Sequence, residues 1–261
     1  MAFREGFVEA DGFGIRYMES GEGPALVHLH GGSGMRLTRA HDMLSERFRV
    51  IAFEMPGFGR SPTNTRTATS RELGATMAMA VGALGIERFN LLATSFGGRT
   101  ALSIAVRQPE RVQALVLESP VAIRPSGHRA PSGTPQEVAH LLCAHPERLG
   151  SLPPVDPETE AKHRTLLERL RGPDRDLDLE FEMRSLATPT LALFGNLDRI
   201  ISPDLGRCYK ALLPNCHLVF VYDAGHAIST DRPEAFVAVT VDFLERHEAF
   251  VISRVNTVIH P

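Results

Sequence analysis

The stretch that most constrains this chain is Leu91-Leu92-Ala93-Thr94-Ser95-Phe96-Gly97-Gly98-Arg99, an apolar run ending in a serine set among small residues. Phe89 to Thr94 have strand composition, and Arg99 to Val106 carry the mixed spacing of a helix that Pro109 closes. Ser95 therefore sits on a strand-to-helix turn. Such a turn is strained, and small residues two before and two after the serine let strand and helix approach closely while the hydroxyl projects above the sheet. The flanks here are Ala93 and Gly97; glycine is usual in both places, so Ala93 adds one methyl group. A buried serine at an ordinary strand end is the competing reading, and the surrounding chain decides between them.

That surrounding chain alternates strands with helices. Phe7 to Glu9 and Ile15 to Glu19 read as two strands joined at Asp11-Gly12, a hairpin dipeptide. Ala25 to His30 is a strongly apolar strand running into Gly31-Gly32-Ser33-Gly34, and a helix is expected from about Leu37 to Arg47. Val50 to Phe53 makes a short strand before the turn Pro56-Gly57-Phe58-Gly59-Arg60-Ser61. Thr69 and Glu72 have capping-box spacing for a helix running to Leu84. Beyond the serine turn, Val112 to Glu118 is a buried type of strand. The character then changes. Residues 121–186 show no convincing strand, frequent prolines and helical patterns near Pro135 to His145, Pro157 to Arg171 and Leu177 to Ser185, which together predict an inserted helical cap. Strands at Thr190 to Phe194 and His217 to Tyr222 flank a helix near Pro203 to Leu213. A last helix follows, with Asp231 and Glu234 at capping-box spacing and Pro233 in its first turn. The expected organisation is a core of residues 1–120 and 187–261 interrupted by the cap at 121–186. The expected fold class is α/β, a mostly parallel sheet with helices on both faces.

In such a sheet the functional groups gather at the carboxyl ends of the strands. Of eleven histidines, His226 lies in the glycine-containing loop Asp223-Ala224-Gly225-His226-Ala227 between the last strand and the last helix, and it is the best general base. An acid must hold that imidazole in the right tautomer and stabilise its charged form. Asp198 lies just past the Thr190 to Phe194 strand and is the first choice; Glu118, also at a strand end, is the runner-up. Asp223 is too close in sequence to aim its carboxylate across the ring.

With these residues placed, nearly the whole chain resembles the α/β-hydrolase superfamily. Ser95, Asp198 and His226 follow in the order nucleophile, acid, histidine of that fold. His30-Gly31-Gly32 is similar to the family's oxyanion loop, which implies that the backbone amides of Gly32 and Phe96 hold an oxyanion. The turn Pro56 to Ser61 is also similar to a family form, with Glu54 where aspartate is usual. The resemblance implies a serine hydrolase that cleaves a carboxylic ester or similar acyl bond and needs no cofactor; the apolar residues of the predicted cap add the expectation of a small, largely apolar substrate. A serine nucleophile argues against the haloalkane-dehalogenase and epoxide-hydrolase branches, which the resemblance ties to aspartate. Carbon–carbon hydrolysis of a vinylogous diketone is the alternative, because relatives with short helical caps and a Ser-Phe-Gly-Gly or Ser-Met-Gly-Gly elbow perform it. Their usual tryptophan after the histidine is Ala227 here, and the chain contains no tryptophan. A ligand-binding protein that kept the fold without turnover is the alternative from another class.

Other readings are narrower. Gly31 to Gly34 lacks the patterns of dinucleotide or nucleoside-triphosphate loops. His28 and His30 face one side of a strand but have no further ligands close in sequence, so they read as structural rather than metal-binding, with His30 bracing the oxyanion loop. Arg99 could contact an anionic substrate, with a structural role the stronger reading. Cap residues Arg124, His128, Arg129, His140 and Phe181 are candidates for lining an acyl pocket, and Leu141, Leu142, Leu166, Leu167, Leu170, Phe181 and Met183 for roofing it. A net charge of −3 with dispersed basic residues excludes a nucleic-acid footprint. No apolar run approaches the ~18 residues that span a bilayer, and the amino terminus lacks the apolar core of a signal peptide, so a cytoplasmic protein is expected. Cys143, Cys208 and Cys216 read as reduced thiols. The apolar tail residues Val251, Ile252, Val255, Val258 and Ile259 predict docking on the core or on a second copy of the chain, as in a homodimer.

Overall fold

The computed structural model describes residues 2–150, 157–250 and 259–260. Strands β1 (Arg4–Ala10) and β2 (Phe13–Ser20) form an antiparallel hairpin. It turns at Asp11 and Gly12, with φ of 49° and 72°, as a two-residue turn compatible with strand twist requires. Six parallel strands follow: β3 (Ala25–Leu29), β4 (Arg49–Phe53), β5 (Phe89–Thr94), β6 (Val112–Glu118), β7 (Thr190–Gly195) and β8 (Cys216–Val221). The sheet order is β1-β2-β4-β3-β5-β6-β7-β8-β9. The last member, β9 (Ile259–His260), pairs antiparallel with β8, setting Ile259 opposite Val221. Ile259 thus lies at the sheet edge; Val251, Ile252, Val255 and Val258 lie outside the described residues.

Each parallel strand has both faces covered. Leu26, Val50, Leu92 and Val116 pack with Leu44 of α1 (Arg39–Leu44) and with Phe236 and Phe243 of α9 (Pro233–Arg246). On the other face, Val27, Ile51, Leu91 and Leu115 pack with Leu73 and Met77 of α2 (Ser70–Ala83), Leu102 of α3 (Gly97–Arg107) and Tyr209 of α7 (Gly206–Leu212). This strand periodicity of two buries both rows, which explains the near-continuous apolar runs in the sequence. Between β6 and β7 lie α4 (Pro135–Leu142), α5 (Pro157–Leu170) and α6 (Leu177–Met183). A short helix, α8 (Ile228–Asp231), precedes α9. The capping box expected of Asp231 and Glu234 does not form: Arg232 occupies the N-cap without a side-chain bond, because the Asp231 carboxylate accepts from amides elsewhere.

The chain passes from β3 to β4 on one side of β3 and then returns to β5 on the other, so a crevice opens above the carboxyl ends of β3 and β5. Ser95 sits there. Its φ is 51°, a left-handed conformation that costs a non-glycine residue about 1 kcal/mol or more. Three backbone bonds hold it: Ser95 N–H donates to Glu118 O at 2.9 Å, and Ser95 O accepts from Gly98 N at 3.0 Å and Val121 N at 3.1 Å. Gly97 follows in the tightest contact of the turn, where a Cβ would stand 2.5 Å from Leu29 O and 2.7 Å from His30 O.

Beneath this crevice a buried hydrogen-bond chain runs from α1 to the end of β6. Thr38 N–H donates to His41 Nδ1 at 3.1 Å, so His41 Nε2–H donates to His28 Nδ1 at 2.9 Å. His28 Nε2–H then donates to Thr94 Oγ1 at 3.2 Å, and the Thr94 hydroxyl donates to Glu118 Oε2 at 2.7 Å. One backbone amide thereby sets both tautomers. Burial holds His28 well below the ordinary imidazole range and pushes His41 down to about 4; it also lowers His30 to about 4.

Two predictions follow from this packing. Gly97→Ala drives a methyl group into two carbonyl oxygens and should lower stability by about 1–3 kcal/mol, read as a shift in the urea midpoint; an unshifted midpoint would contradict the close approach. The histidines make stability depend on pH. In the unfolded chain each takes up a proton near pH 6.5, whereas folded His30 and His41 do so only near 4, so their contribution is fully present above 6.5 and is lost as pH falls through that window. Each should remove about 1.4 kcal/mol per pH unit between those limits. Urea titrations at pH 7, 6 and 5 should show the decline, and a flat profile would contradict neutral buried imidazoles.

Candidate active site

Ser95, His226 and Asp198 come from three different strand ends, and the fold brings them into one line. His226 Nδ1 lies 2.8 Å from Asp198 Oδ2, and His226 Nε2 lies 2.8 Å from Ser95 Oγ. The Asp198 side chain is fully buried, and its other oxygen accepts from Ile200 N at 2.8 Å and Ile201 N at 3.0 Å. Those two amides aim the carboxylate. It accepts Nδ1–H, which leaves Nε2 as the acceptor facing the serine hydroxyl. Ser95 itself is half-buried.

The predicted oxyanion residues lie beside it. Phe96 caps α3, whose first amides have no intrahelical acceptor. A Cβ on Gly31 would stand 3.3 Å from Ser95 Cβ, and one on Gly32 would stand 4.0 Å from Phe96 Cβ. The two peptide segments thus converge on the serine. His30 braces the loop: its Nδ1–H donates to Gly31 O at 2.7 Å, and its Nε2 accepts from Met55 N–H at 3.1 Å.

The helical segment between β6 and β7 closes over the crevice. Leu167 lies nearest, 3.6 Å from where a Gly32 Cβ would be. On the same helix, His163 Nε2 accepts from Gly59 N at 2.9 Å, and Lys162 Nζ donates to Ser61 O at 2.7 Å. Leu166, Leu170 and Met183 are buried in the core, whereas Phe181 is 76 % exposed. Arg99 is structural: its guanidinium donates to Ala122 O, Arg171 O and Pro173 O at 2.7–2.9 Å. Arg124 likewise donates to the carbonyls of Arg171, Gly172 and Pro173, clamping the return loop to the core rather than facing a substrate. His140 offers its carbonyl to Arg199.

Two buried carboxylates near His226 escaped the sequence as participants in its loop. Glu118, the runner-up acid, bonds to Thr94 and accepts from Ser229 N–H at 2.6 Å; burial pushes its pKa up. Asp231 accepts from Gly225 N–H, the residue before His226, at 2.7 Å. The signal is present in the sequence, an acid five residues after the candidate base, but the same residue also fits a helix cap. Asp223 turns away, pairing with His145 Nε2 at 2.9 Å.

Among the described residues, no helix is long and apolar enough to cross a membrane. Residues 24–142 match the family model for the alpha/beta hydrolase fold. The chain is 29% identical to a 2-hydroxymuconate semialdehyde hydrolase of Pseudomonas putida over 92% of its own length and 94% of the relative's. It is 28% identical to a 2-hydroxy-6-oxo-6-phenylhexa-2,4-dienoate hydrolase of Comamonas testosteroni, covering 90% and 92%. The solved 2-hydroxy-6-oxo-6-phenylhexa-2,4-dienoate hydrolase of Rhodococcus sp. strain RHA1 superposes with a TM-score of 0.79 at 21% identity, covering 94% and 99%. Sheet order, the serine turn and these matches agree, and the chain has the α/β-hydrolase fold.

Proposed function

We propose that Ser95, His226 and Asp198 act as a catalytic triad that hydrolyses a bond to a carbonyl carbon through an acyl-enzyme. The observation that carries this reading is the position of His226, 2.8 Å from both the serine hydroxyl and the buried carboxylate. His226 Nε2 takes the proton of Ser95 as Oγ attacks the carbonyl carbon, and the amides of Gly32 and Phe96 receive the oxyanion. The imidazolium then protonates the leaving group, and water activated by the same nitrogen cleaves the acyl-enzyme. The chemistry needs no metal or cofactor and takes a small-molecule substrate.

For the bond cleaved, the curated relatives favour a carbon–carbon bond in a vinylogous diketone. Both are named as hydrolases of such conjugated oxo-acids, and both align over nine-tenths of this chain or more. A carbon leaving group departs only if its electrons are delocalised, which the conjugated carbonyl provides. A carboxylic ester is the second reading, favoured by Ala227 in place of a bulky aromatic beside the base and by the aliphatic Leu167 over Gly32. In both readings residues 121–186 form a cap that decides which acyl group reaches Ser95.

Ser95→Ala or His226→Ala should each lower kcat by about 10⁴- to 10⁶-fold, with the double variant little worse because the pair acts as a unit; additive losses would contradict the triad. Asp198→Asn should lose about 10⁴-fold with the fold intact. A panel of ring-fission diketones and esters of matched size should give the higher kcat/KM for the diketones. Ester turnover without diketone turnover would transfer the assignment to the ester reading.

A further inference from the structure

Asp231 is a fully buried charged residue that the triad mechanism does not use. Its carboxylate accepts three backbone amides from two separate parts of the chain. Oδ2 accepts from Gly225 N at 2.7 Å, next to His226, and from Ala144 N at 2.8 Å, just beyond α4; Oδ1 accepts from His145 N at 2.9 Å. The same two segments meet again on the other side of the base, where Ala227 N–H donates to Leu142 O at 2.8 Å. Arg148 also donates to the Asp231 carbonyl oxygen. The fit is close: a Cβ on Gly225 would stand 2.8 Å from Ala144 N. His226 is therefore bracketed, one residue before and one after, by the stretch that leads out of α4.

Glu118 provides the contrast. It too holds the histidine loop, through Ser229 N–H, but its other oxygen goes to Thr94 beside the nucleophile. Glu118 joins two pieces of the core, whereas Asp231 joins the core to the cap. A buried carboxylate with three amide donors is a stiff link, since replacing one of its oxygens by a donor leaves at least one of those amides without an acceptor.

We propose that Asp231 is a positioning residue that holds His226 Nε2 against Ser95 and, through the same carboxylate, fixes the cap segment Leu142 to His145 over the site, so that base placement and acyl-group preference are set together. This rests on the triad reading above. Displacement of a reacting group by about 1 Å costs on the order of 10²-fold in rate, so a loosened link should register directly in the reactivity of Ser95.

The test uses two fluorophosphonate probes on the full chain, one with a short alkyl group and one with a long one. In the labelling step the Ser95 Oγ–P bond forms as P–F breaks, fluoride leaves, and the serine proton passes to His226. Asp231→Asn should slow labelling by both probes by about 10- to 100-fold and change the long-to-short rate ratio severalfold. Glu118→Gln should slow labelling while keeping the ratio. An Asp231→Asn protein with wild-type rates, or with slower rates and an unchanged ratio, would overturn the proposal. If that variant does not fold, Ala144→Pro removes one donor on the cap side and keeps the Gly225 bond; Cys143 before it is already extended, as proline requires of its predecessor. Ala144→Pro should change the ratio with a smaller loss of rate, and an unchanged ratio would overturn the link to the cap. Ser95→Ala separates the two levels, because labelling of that variant would overturn the triad reading itself.

Discussion

The structure depends on one close approach: helix α3 begins against the end of β3, with Gly97 packed onto the carbonyls of Leu29 and His30. Because no side chain fits there, the chain leaving β5 must turn at once, and Ser95 takes up the left-handed strain of that turn. The same contact brings the loop His30 to Gly32 beside Ser95, so one steric constraint places the serine and both amide-bearing segments. Strand order then supplies the partners, since β7 and β8 end on the same side of the sheet with Asp198 and His226 just beyond them.

Around this turn the protein uses buried carboxylates as fasteners. Asp198, Glu118 and Asp231 each accept two or more donors: Asp198 grips His226 itself, Glu118 grips Thr94 beside Ser95, and Asp231 grips Gly225 before His226. A carboxylate out of water is costly unless its lone pairs are filled, and once they are filled it resists displacement. The neutral chain Thr38–His41–His28–Thr94 points every donor toward Glu118, so polarity deep in the sheet also serves the end of β5.

The elements that sequence reading located well were those with a local cause. The Asp11-Gly12 turn, the apolar strands and the Ser95 turn follow from backbone sterics and periodicity, and the order of Ser95, Asp198 and His226 follows from where strands end. Asp231 shows what was not legible. Its local pattern with Glu234 matches a helix cap, but three amides brought close by folding outcompete the one, Glu234 N–H, that capping offers beyond Pro233. Arg99 and Arg124 are likewise open to a ligand-facing reading in the sequence, and it is the carbonyls of residues 171–173, distant in sequence, that engage their terminal guanidinium nitrogens. Phe181 failed as a roof residue because its helix, α6, buries Leu179 and Met183 instead, a choice of face that its short apolar pattern did not decide.

In the proposed mechanism Ser95, activated through His226, attacks the substrate carbonyl and carries the acyl group. Acid quenching of the protein during turnover of p-nitrophenyl acetate, followed by peptide mapping, tests it directly. An acetyl group is expected on the peptide containing Ser95, formed in the wild type and strongly reduced in His226→Ala. An acetyl group confined to any other residue, or turnover with no acylated peptide and incorporation of solvent oxygen in a single step, would contradict it.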